Sequence, residues 1–221
     1  AREELSERLN IDPSKIEVMV PLAVPAPRGN PSQAELEHVR RKYALPEHFI
    51  LMIGTVEPRH NHQAVFAALA DAASPAGVVV CGRRTAWSDY LLGYARARRI
   101  AARVDFIYEL TPSDLPALFR LARVFAYLPD ADAEASVVPV VEALRAGLPM
   151  VLSDTQVNRE AVGEAAAYVR PEARGEVLAA LENALEDVSW RRTMQERERR
   201  RAELFSEYAV AERLMQIYTS L

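Results

Sequence analysis

The chain has 221 residues, of which 50% are hydrophobic and 26% are charged, enough for one large core or about one and a half typical domains. Its 27 lysines and arginines against 31 aspartates and glutamates leave a net charge of −4, too balanced for a protein that works chiefly by neutralising nucleic-acid phosphates. The single cysteine, Cys81, excludes an intrachain disulfide and a zinc site built from several cysteines.

Membrane and phosphate-binding signatures are missing from the sequence. No apolar stretch approaches the roughly 20 residues of a membrane-spanning helix, and the charged start Arg2-Glu3-Glu4 is unlike a secretory signal. We therefore expect a soluble, cytoplasmic protein, with a peripheral position at the inner membrane face as the most that a membrane role would involve. The eight glycines form neither G-x-G-x-x-G nor G-x-x-x-x-G-K-[ST], so the usual dinucleotide and P-loop sites are excluded.

The first 31 residues differ from the rest of the chain. Ala1–Leu9 has the pattern of a helix cut from something longer, and Ile16–Val20 predicts a first strand. Pro21–Pro31 carries four prolines in eleven residues and is typical of a semi-rigid connection. We expect residues 1–31 to be the remnant of a preceding domain with the connection that follows it.

From Ile16 onward, short β-branched or aromatic runs alternate with segments of helical period, the pattern of βαβ units around a parallel sheet. The predicted strands are Ile16–Val20, Phe49–Ile53, Val78–Cys81, Val104–Ile107, Val124–Leu128, Met150–Leu152 and Ala166–Val169. The predicted helices are Gln33–Tyr43, Gln63–Ala72, Trp87–Arg98, Val138–Ala146 and Glu176–Glu186. The predicted fold is α/β: a Rossmann-like, mainly parallel sheet flanked by helices, over residues 32–204.

Two helix starts carry capping signals. Ser32 stands before the first of these helices and Glu35 follows three residues later, a capping box that satisfies two backbone amides. Thr111 to Asp114 predicts a helix start of the same kind, with Pro112 at the first helical position.

The last third of the chain predicts two more helices, separated by Phe205-Ser206. Trp190–Glu203 is dense in arginine and glutamate, and Tyr208–Tyr218 resumes an amphipathic period. An arginine run at 197–201 could dock on an anionic membrane, but the interleaved glutamates favour a solvated face with intrahelical ion pairs. We expect residues 205–221 to form a C-terminal helix that packs back on a preceding domain.

The loops that follow the strands are where chemistry is expected, because ligands of open parallel sheets bind beyond the carboxyl ends of the strands. The polar loops are Gly54–His62 after Ile53, Gly82–Arg84 after Cys81, Pro129–Ser136 after Leu128 and Ser153-Asp154 after Leu152. Their charges and hydroxyls suit an anionic, hydroxyl-rich ligand such as a nucleotide-sugar.

Four blocks in these loops and helices resemble the GT-B glycosyltransferases, specifically the large retaining family four, also called glycosyltransferase group 1. Residues 54–62, GTVEPRHNH, resemble its G-T-x-E-P-R-K-N block. Residues 134–143, EASVVPVVEA, resemble E-G-F-G-L-P-x-x-E-A and keep both glutamates. Residues 146–151 and 160–166 resemble C-G-x-P-V-V and E-V-V-G-D-A-A. The resemblance runs from about Ile16 to the C-terminus and covers the second Rossmann-like domain of that family.

The resemblance implies a donor-binding domain that uses no metal and no cofactor. Glu142 would bind the ribose hydroxyls, Glu134 would face the donor sugar as the catalytic residue, and a basic loop would stabilise the departing diphosphate. The implied donor-binding residues are Gly54, Thr55, Arg59, His60, Arg83, Ala135, Ser136, Val137, Val138 and Glu142. The implied partners are a GDP- or UDP-sugar, a glycan or lipid-linked acceptor and an N-terminal GT-B domain outside these residues.

Departures from the family pattern suggest an alternative function. His60 replaces a lysine, Thr55 stands where some members carry arginine, Ala135-Ser136-Val137 replaces G-F-G, and Tyr108 replaces a usual glycine. They point to a non-catalytic pseudo-glycosyltransferase that serves as an interaction module. A flavodoxin-like signalling domain is disfavoured, because no acidic cluster follows the first strand.

Several residues also have simpler interpretations. His60 and His62 could bind a metal, but a solvated turn is favoured because no third ligand has suitable spacing. Glu142 without its surrounding blocks would be an exposed helix carboxylate, and Arg83-Arg84 is as typical of a surface pair as of a phosphate contact. Cys81 is expected to be a small buried hydrophobe. Helix packing is expected of three aromatic residues, Trp87, Tyr90 and Tyr94.

Overall fold

The computed structural model describes residues 2–19, 31–130 and 137–219. Within these residues, six parallel strands form one sheet in the order β3-β2-β1-β4-β5-β6. The strands are β1 (Phe49–Ile53), β2 (Gly77–Cys81), β3 (Val104–Ile107), β4 (Val124–Tyr127), β5 (Met150–Ser153) and β6 (Ala167–Val169). The predicted parallel Rossmann-like sheet is confirmed.

Ten α-helices lie in the described part of the chain. They are α1 (Arg2–Leu9), α2 (Gln33–Lys42), α3 (His62–Asp71), α4 (Ala86–Ala97), α5 (Leu115–Leu121), α6 (Val138–Ala146), α7 (Gln156–Val162), α8 (Arg174–Glu186), α9 (Val188–Ala202) and α10 (Glu207–Thr219). Short 3-10 turns lie at Pro13–Lys15, Pro58–His60, Ala101–Arg103, Pro112–Asp114 and Glu203–Phe205. The predicted helices are present, including the two at the C-terminal end.

The strand sequences explain why the sheet is covered on both faces. Along β1, Phe49 and Leu51 belong to the core cluster under α2, α5, α6 and α7, whereas Ile50 and Met52 belong to the cluster under α3, α4 and α8. Side chains of a strand alternate between faces, so a continuous apolar run buries both. The crossovers wind outward from β1 through β3 and from β4 through β6, so the winding direction reverses between β1 and β4.

Two predictions of local structure are wrong. Residues 16–19 form no strand, because no neighbouring strand pairs with them, and Val18 is exposed. Pro112 stands at the first position of a helical turn, as predicted, but this is a 3-10 turn before α5, and the Thr111 side chain does not cap it because its hydroxyl accepts from Lys42 Nζ at 2.7 Å. The predicted Ser32 capping box is confirmed. The predicted connection Pro21–Pro31 lies outside the described residues except for Pro31.

Helix α9 was predicted to have a solvated charged face, but part of that face is buried. Glu198 is fully buried, and Arg201 donates hydrogen bonds to the main-chain carbonyls of Ala161, at 2.8 Å, and Glu160. Arg197 donates to the carbonyl of Glu164 at 3.1 Å. The arginines thus satisfy carbonyls that the end of α7 leaves unpaired. The expected intrahelical pairing is seen at Arg192–Glu196, with nitrogen and oxygen 3.8 Å apart.

Candidate functional site

The candidate site lies at the carboxyl edge of the sheet, where the winding reverses. The loop after β1 passes beside the loop after β2 and, on its other side, the loop after β4. Such a reversal leaves a crevice between neighbouring loops, which is where open α/β sheets bind ligands. The loops Gly54–His62 and Gly82–Arg84 therefore meet Pro129 and Asp130, the described start of the third predicted loop, at one edge.

Two glycines allow the first two loops to touch. Gly54 has a φ of +145°, and a Cβ built on Gly82 would stand 1.7 Å from the Gly54 carbonyl oxygen. The main chains stay hydrogen-bonded beyond the strands, since the Gly54 amide donates to the Cys81 carbonyl at 3.0 Å and the Val56 amide donates to the Arg83 carbonyl at 3.1 Å. The loops after β1 and β2 are a rigid pair.

Both histidines of the loop after β1 are buried, so the predicted solvated turn is wrong. His60 is 6% exposed and its Nδ1 lies 2.5 Å from the Thr55 carbonyl oxygen, which closes the turn on itself. His62, the first residue of α3, is 1% exposed and meets the His60 ring edge-on, with ring centroids 6.0 Å apart. Tyr127 lies on the other side of His60, at 6.4 Å between ring centroids.

The two rings have different electrostatic surroundings. Burial lowers the pKa of His62 to about 4, helped by neighbouring His60 and opposed by a hydrogen bond with the Glu57 backbone. His62 is therefore neutral near pH 7. Across the described ranges, no three His, Cys, Asp or Glu side chains are grouped to hold a metal ion.

Glu57 arranges two arginines at the mouth of the loops. Its carboxylate lies 2.7 Å from Arg59 Nε and 3.9 Å from Arg83 Nη2. The Arg83 side chain is 76% exposed, so its long contact with Glu57 holds it only weakly. Arg84 differs, because it is paired with Asp89 at 2.8 Å and its guanidinium lies 5.7 Å from the centre of the Tyr108 ring.

The loop after β1 is tied to the end of β4 by hydrogen bonds that the sequence analysis missed. Asn61 Nδ2 donates to the Leu128 carbonyl at 2.9 Å and to Asp130 Oδ1 at 2.6 Å. The Asp130 amide donates to the Arg59 carbonyl at 2.9 Å. Asn61 stands inside the family-like block 54–62, but its partners are 67 and 69 residues away in the chain. In the sequence, the signal that could have singled out Asn61 was its place in this family-like block.

Helix α6 carries Glu142 just over one turn from its start. Glu142 is half-buried, which corrects the interpretation as an exposed carboxylate. No residue of the described ranges donates a hydrogen bond to it, and desolvation raises its pKa above 4.5 despite the opposing charge of Arg145. A half-buried carboxylate without a donor is suited to accept hydroxyl groups from a ligand.

The remaining predicted site residues fall into two groups. Val137 and Val138 stand at the start of α6, where backbone amides lack helical partners. Glu134, Ala135 and Ser136 lie outside the described residues.

Cys81 is buried at the end of β2, and burial raises its pKa to about 11, as expected of a small hydrophobic residue.

Two of the three aromatic residues of α4, Trp87 and Tyr94, pack against the core as predicted, whereas Tyr90 is 46% exposed. Trp87 and Tyr90 stack with ring centroids 4.1 Å apart, and Tyr94 continues the row under the guanidinium of Arg98. None of the helices that the structure describes is long and apolar enough to cross a membrane.

Comparison with known proteins gives consistent matches. Residues 35–201 match the family model described as glycosyl transferases group 1. The chain is 29% identical over 181 residues to O-antigen chain mannosyltransferase B of Escherichia coli, covering 79% of this chain and 47% of that protein. It is 28% identical over 207 residues to D-inositol 3-phosphate glycosyltransferase of Salinispora tropica, covering 86% and 40%. The chain spans about half the length of the curated relatives it matches.

Solved structures share the fold. A glycosyltransferase from Rickettsia africae superimposes with a TM-score of 0.84 at 16% identity, covering 99% of this chain and 60% of that chain. Anabaena HepE, solved with UDP and glucose, superimposes with a TM-score of 0.74 at 17% identity, covering 86% and 53%. At these identities the likeness shows the architecture, a Rossmann-like half of a GT-B fold.

Proposed function

Because the chain belongs to the glycosyl transferases group 1 family, we propose that residues 32–204 bind the nucleotide-sugar donor of a hexosyltransferase. The observation that carries the proposal is the pairing of a basic loop and a half-buried carboxylate at the sheet edge where the winding reverses. Relatives named as mannosyltransferases, and the HepE structures with UDP and UDP-glucose, support a GDP- or UDP-sugar.

The basic loop would hold the diphosphate. The Arg59 guanidinium is oriented by Glu57 through Nε, and its planar group can donate two parallel hydrogen bonds to phosphate oxygens. His60 donates from Nδ1 to the Thr55 carbonyl, which fixes the ring plane beside the proposed diphosphate position.

Glu142 would accept hydrogen bonds from the ribose hydroxyls. Its carboxylate is partly desolvated and has no donor among the described residues, so two hydroxyl donors would replace the hydration it has lost. The amides of Val137 and Val138, at the start of α6, would add donors for the phosphate or the sugar. These groups would bind and orient the donor and exclude water from it. They would form no covalent bond with the sugar, which is released from its own diphosphate leaving group.

The reaction would transfer a hexose with retention. It would need no metal, because Arg59 and His60 would stabilise the charge that develops on the departing diphosphate. Glu134 would face the donor sugar. A glycan or lipid-linked acceptor would be bound by an N-terminal domain outside these residues, with residues 1–31 as the connection and 205–221 packing back on that domain. This chain alone would bind donor without turnover.

Isothermal titration of the 221-residue chain with GDP-mannose, UDP-glucose, ADP-glucose and dTDP-glucose, in the presence of EDTA, tests the proposal. We expect one nucleotide-sugar to bind, and Arg59→Gln to weaken it about tenfold, while Arg96→Gln, at an exposed position on α4, leaves it unchanged. Absence of binding by all four would reject the donor-site proposal and favour a pseudo-glycosyltransferase interaction module.

A further inference from the structure

A set of three hydrogen bonds, which we call the loop clamp, joins Arg59 and Asn61 to Leu128 and Asp130. Two run from the Asn61 side-chain amide to the Leu128 carbonyl and Asp130 Oδ1, and one runs from the Asp130 amide to the Arg59 carbonyl. The bonds run in both directions across the boundary between β1 and β4. That boundary is the crevice of the candidate site.

Asn61 has a backbone conformation that few residues adopt. Its φ of 51° and ψ of 34° are left-handed, and the residue ends the turn Pro58–His60 just before α3 begins. Asparagine tolerates this conformation better than most residues and carries two amide hydrogens that can donate. Glycine would keep the turn and remove the two side-chain bonds of the clamp, so the two contributions of Asn61 can be separated.

The other end of the clamp is also held firmly. Ser153, at the end of β5, donates from Oγ to the Pro129 carbonyl at 2.7 Å, and Asn158 of α7 donates to the Ser153 carbonyl at 2.9 Å. Ser153 and Asn158 are both buried. Pro129, next to Asp130, is therefore anchored to β5 and through Ser153 to α7, so the clamp joins the loop after β1 to a segment that is itself held in place.

We propose that Asn61 is a positioning residue that holds Arg59 and His60 at the diphosphate-binding position by clamping their loop to the end of β4. The inference rests on the proposed donor site. Arg59 and His60 are the two residues immediately before Asn61, so a displaced Asn61 would shift both groups. Placement within about 1 Å matters for binding and for catalysis.

The first test compares four variants by titration with the nucleotide-sugar that the wild-type chain binds. Asn61→Gly should raise the dissociation constant about tenfold, while Asn10→Gly should not change it; Asn10 has the same φ of 51° and lies at the exposed end of α1. Asn61→Asp should bind the nucleotide-sugar at least as weakly as Asn61→Gly, because the carboxylates of residues 61 and 130 then face each other. Asn61→Asp combined with Asp130→Asn restores the hydrogen bond between the two side chains but not the one to the Leu128 carbonyl, so it should bind more tightly than Asn61→Asp and recover part of the affinity.

The second test needs no ligand. In Asn61→Gly, the Asp130 amide, which donates to the Arg59 carbonyl, should exchange its hydrogen at least tenfold faster. In the double variant Asn61→Asp with Asp130→Asn, hydrogen exchange at position 130 should slow again. Unchanged exchange and unchanged affinity in a folded Asn61→Gly chain would overturn the clamp. Faster exchange with unchanged affinity would confine Asn61 to a structural role. A wild-type chain that binds no nucleotide-sugar would instead reject the donor site on which the inference rests.

Discussion

Two histidines separated by one residue have different parts in the loop after β1. His62 is buried at the head of α3 and stays neutral near pH 7, since burial lowers its pKa to about 4. His60 bonds to the main chain through Nδ1 and contacts the rings of His62 and Tyr127. A ring fixed in this way keeps its orientation when the charge around it changes, which a lysine at the same position would not do.

At His60, the expected result is weaker donor binding. His60→Gln removes the ring that lies between the Thr55 carbonyl, His62 and Tyr127, and it should raise the dissociation constant of the nucleotide-sugar about tenfold. The control is His48→Gln, at an exposed position before β1. Isothermal titration of both variants measures the change, and an unchanged affinity in His60→Gln would remove His60 from the diphosphate site.

At Glu142, replacement by glutamine should weaken nucleotide-sugar binding by about 1–2 kcal/mol, because a neutral amide oxygen is a poorer acceptor for ribose hydroxyls than a carboxylate. The free energy of unfolding should not fall, since burial already disfavours the charged form of Glu142. Glu212→Gln, on the exposed side of α10, serves as the control for an acidic residue lost elsewhere. Equal affinity of a folded Glu142→Gln chain would contradict the assigned role.

At the scale of elements, α9 combines favourable and unfavourable contacts. Arg197 and Arg201 satisfy carbonyls at the end of α7, whereas Glu198 is buried without any hydrogen-bond partner in the described ranges. Burial raises the pKa of Glu198 to about 8, so the carboxyl group is mostly protonated in the native protein near pH 7. Arg197 and Arg201 donate to carbonyls at and just beyond the end of α7 instead of neutralising Glu198.

Glu198 should make the protein less stable as pH rises. The native carboxyl keeps its proton to about pH 8, whereas the unfolded chain releases it near its ordinary 4.5, so between these values the native state binds more protons. The free energy of unfolding should therefore fall between pH 5 and pH 8. Glu198→Gln should remove this loss and gain about 2–4 kcal/mol over the wild type at pH 8, with little difference at pH 5. Urea unfolding at both pH values measures it, with Glu196→Gln as the exposed control.

The elements that the sequence predicted well are those whose pattern is local. Val104–Ile107 and Val138–Ala146 were predicted with the bounds that the structure has, because apolar runs and helical periodicity are read within one segment. Helix α7 was not predicted, since seven residues are too short for a periodic signal. The loop clamp could not be predicted from local pattern, because it joins residues 69 apart whose contact depends on strand order.

At the scale of the whole molecule, the largest buried side chain that anchors the chain after α9 is Phe205, among the described residues. Phe205 is 1% exposed and belongs to the core cluster beneath α6 and α7, while its neighbour Leu204 is 52% exposed. Beyond it, α10 buries Val210 and leaves Tyr208, Met215 and Tyr218 exposed. These exposed side chains support the proposal that residues 205–221 pack on a further domain.

Phe205→Ala should therefore lower the free energy of unfolding by about 3–5 kcal/mol, because it removes a buried ring and leaves a cavity in the main core. Leu204→Ala removes a side chain next to it in sequence and should cost less than about 1 kcal/mol, since that residue is mostly exposed. Denaturant unfolding of both variants makes the comparison. Similar losses for the two would show that the segment is not anchored through Phe205.

The contact between Gly82 and the Gly54 carbonyl limits how the sequence of this edge can vary. A Cβ on Gly82 would stand 1.7 Å from that oxygen, whereas a Cβ on Gly93 of α4 would meet no atom within 4 Å. In a library saturated at both positions and sorted for folded protein, position 82 should keep glycine and position 93 should accept most residues, alanine above all. Attempts to alter specificity at this edge must therefore vary the side chains around Gly82 and leave that glycine in place.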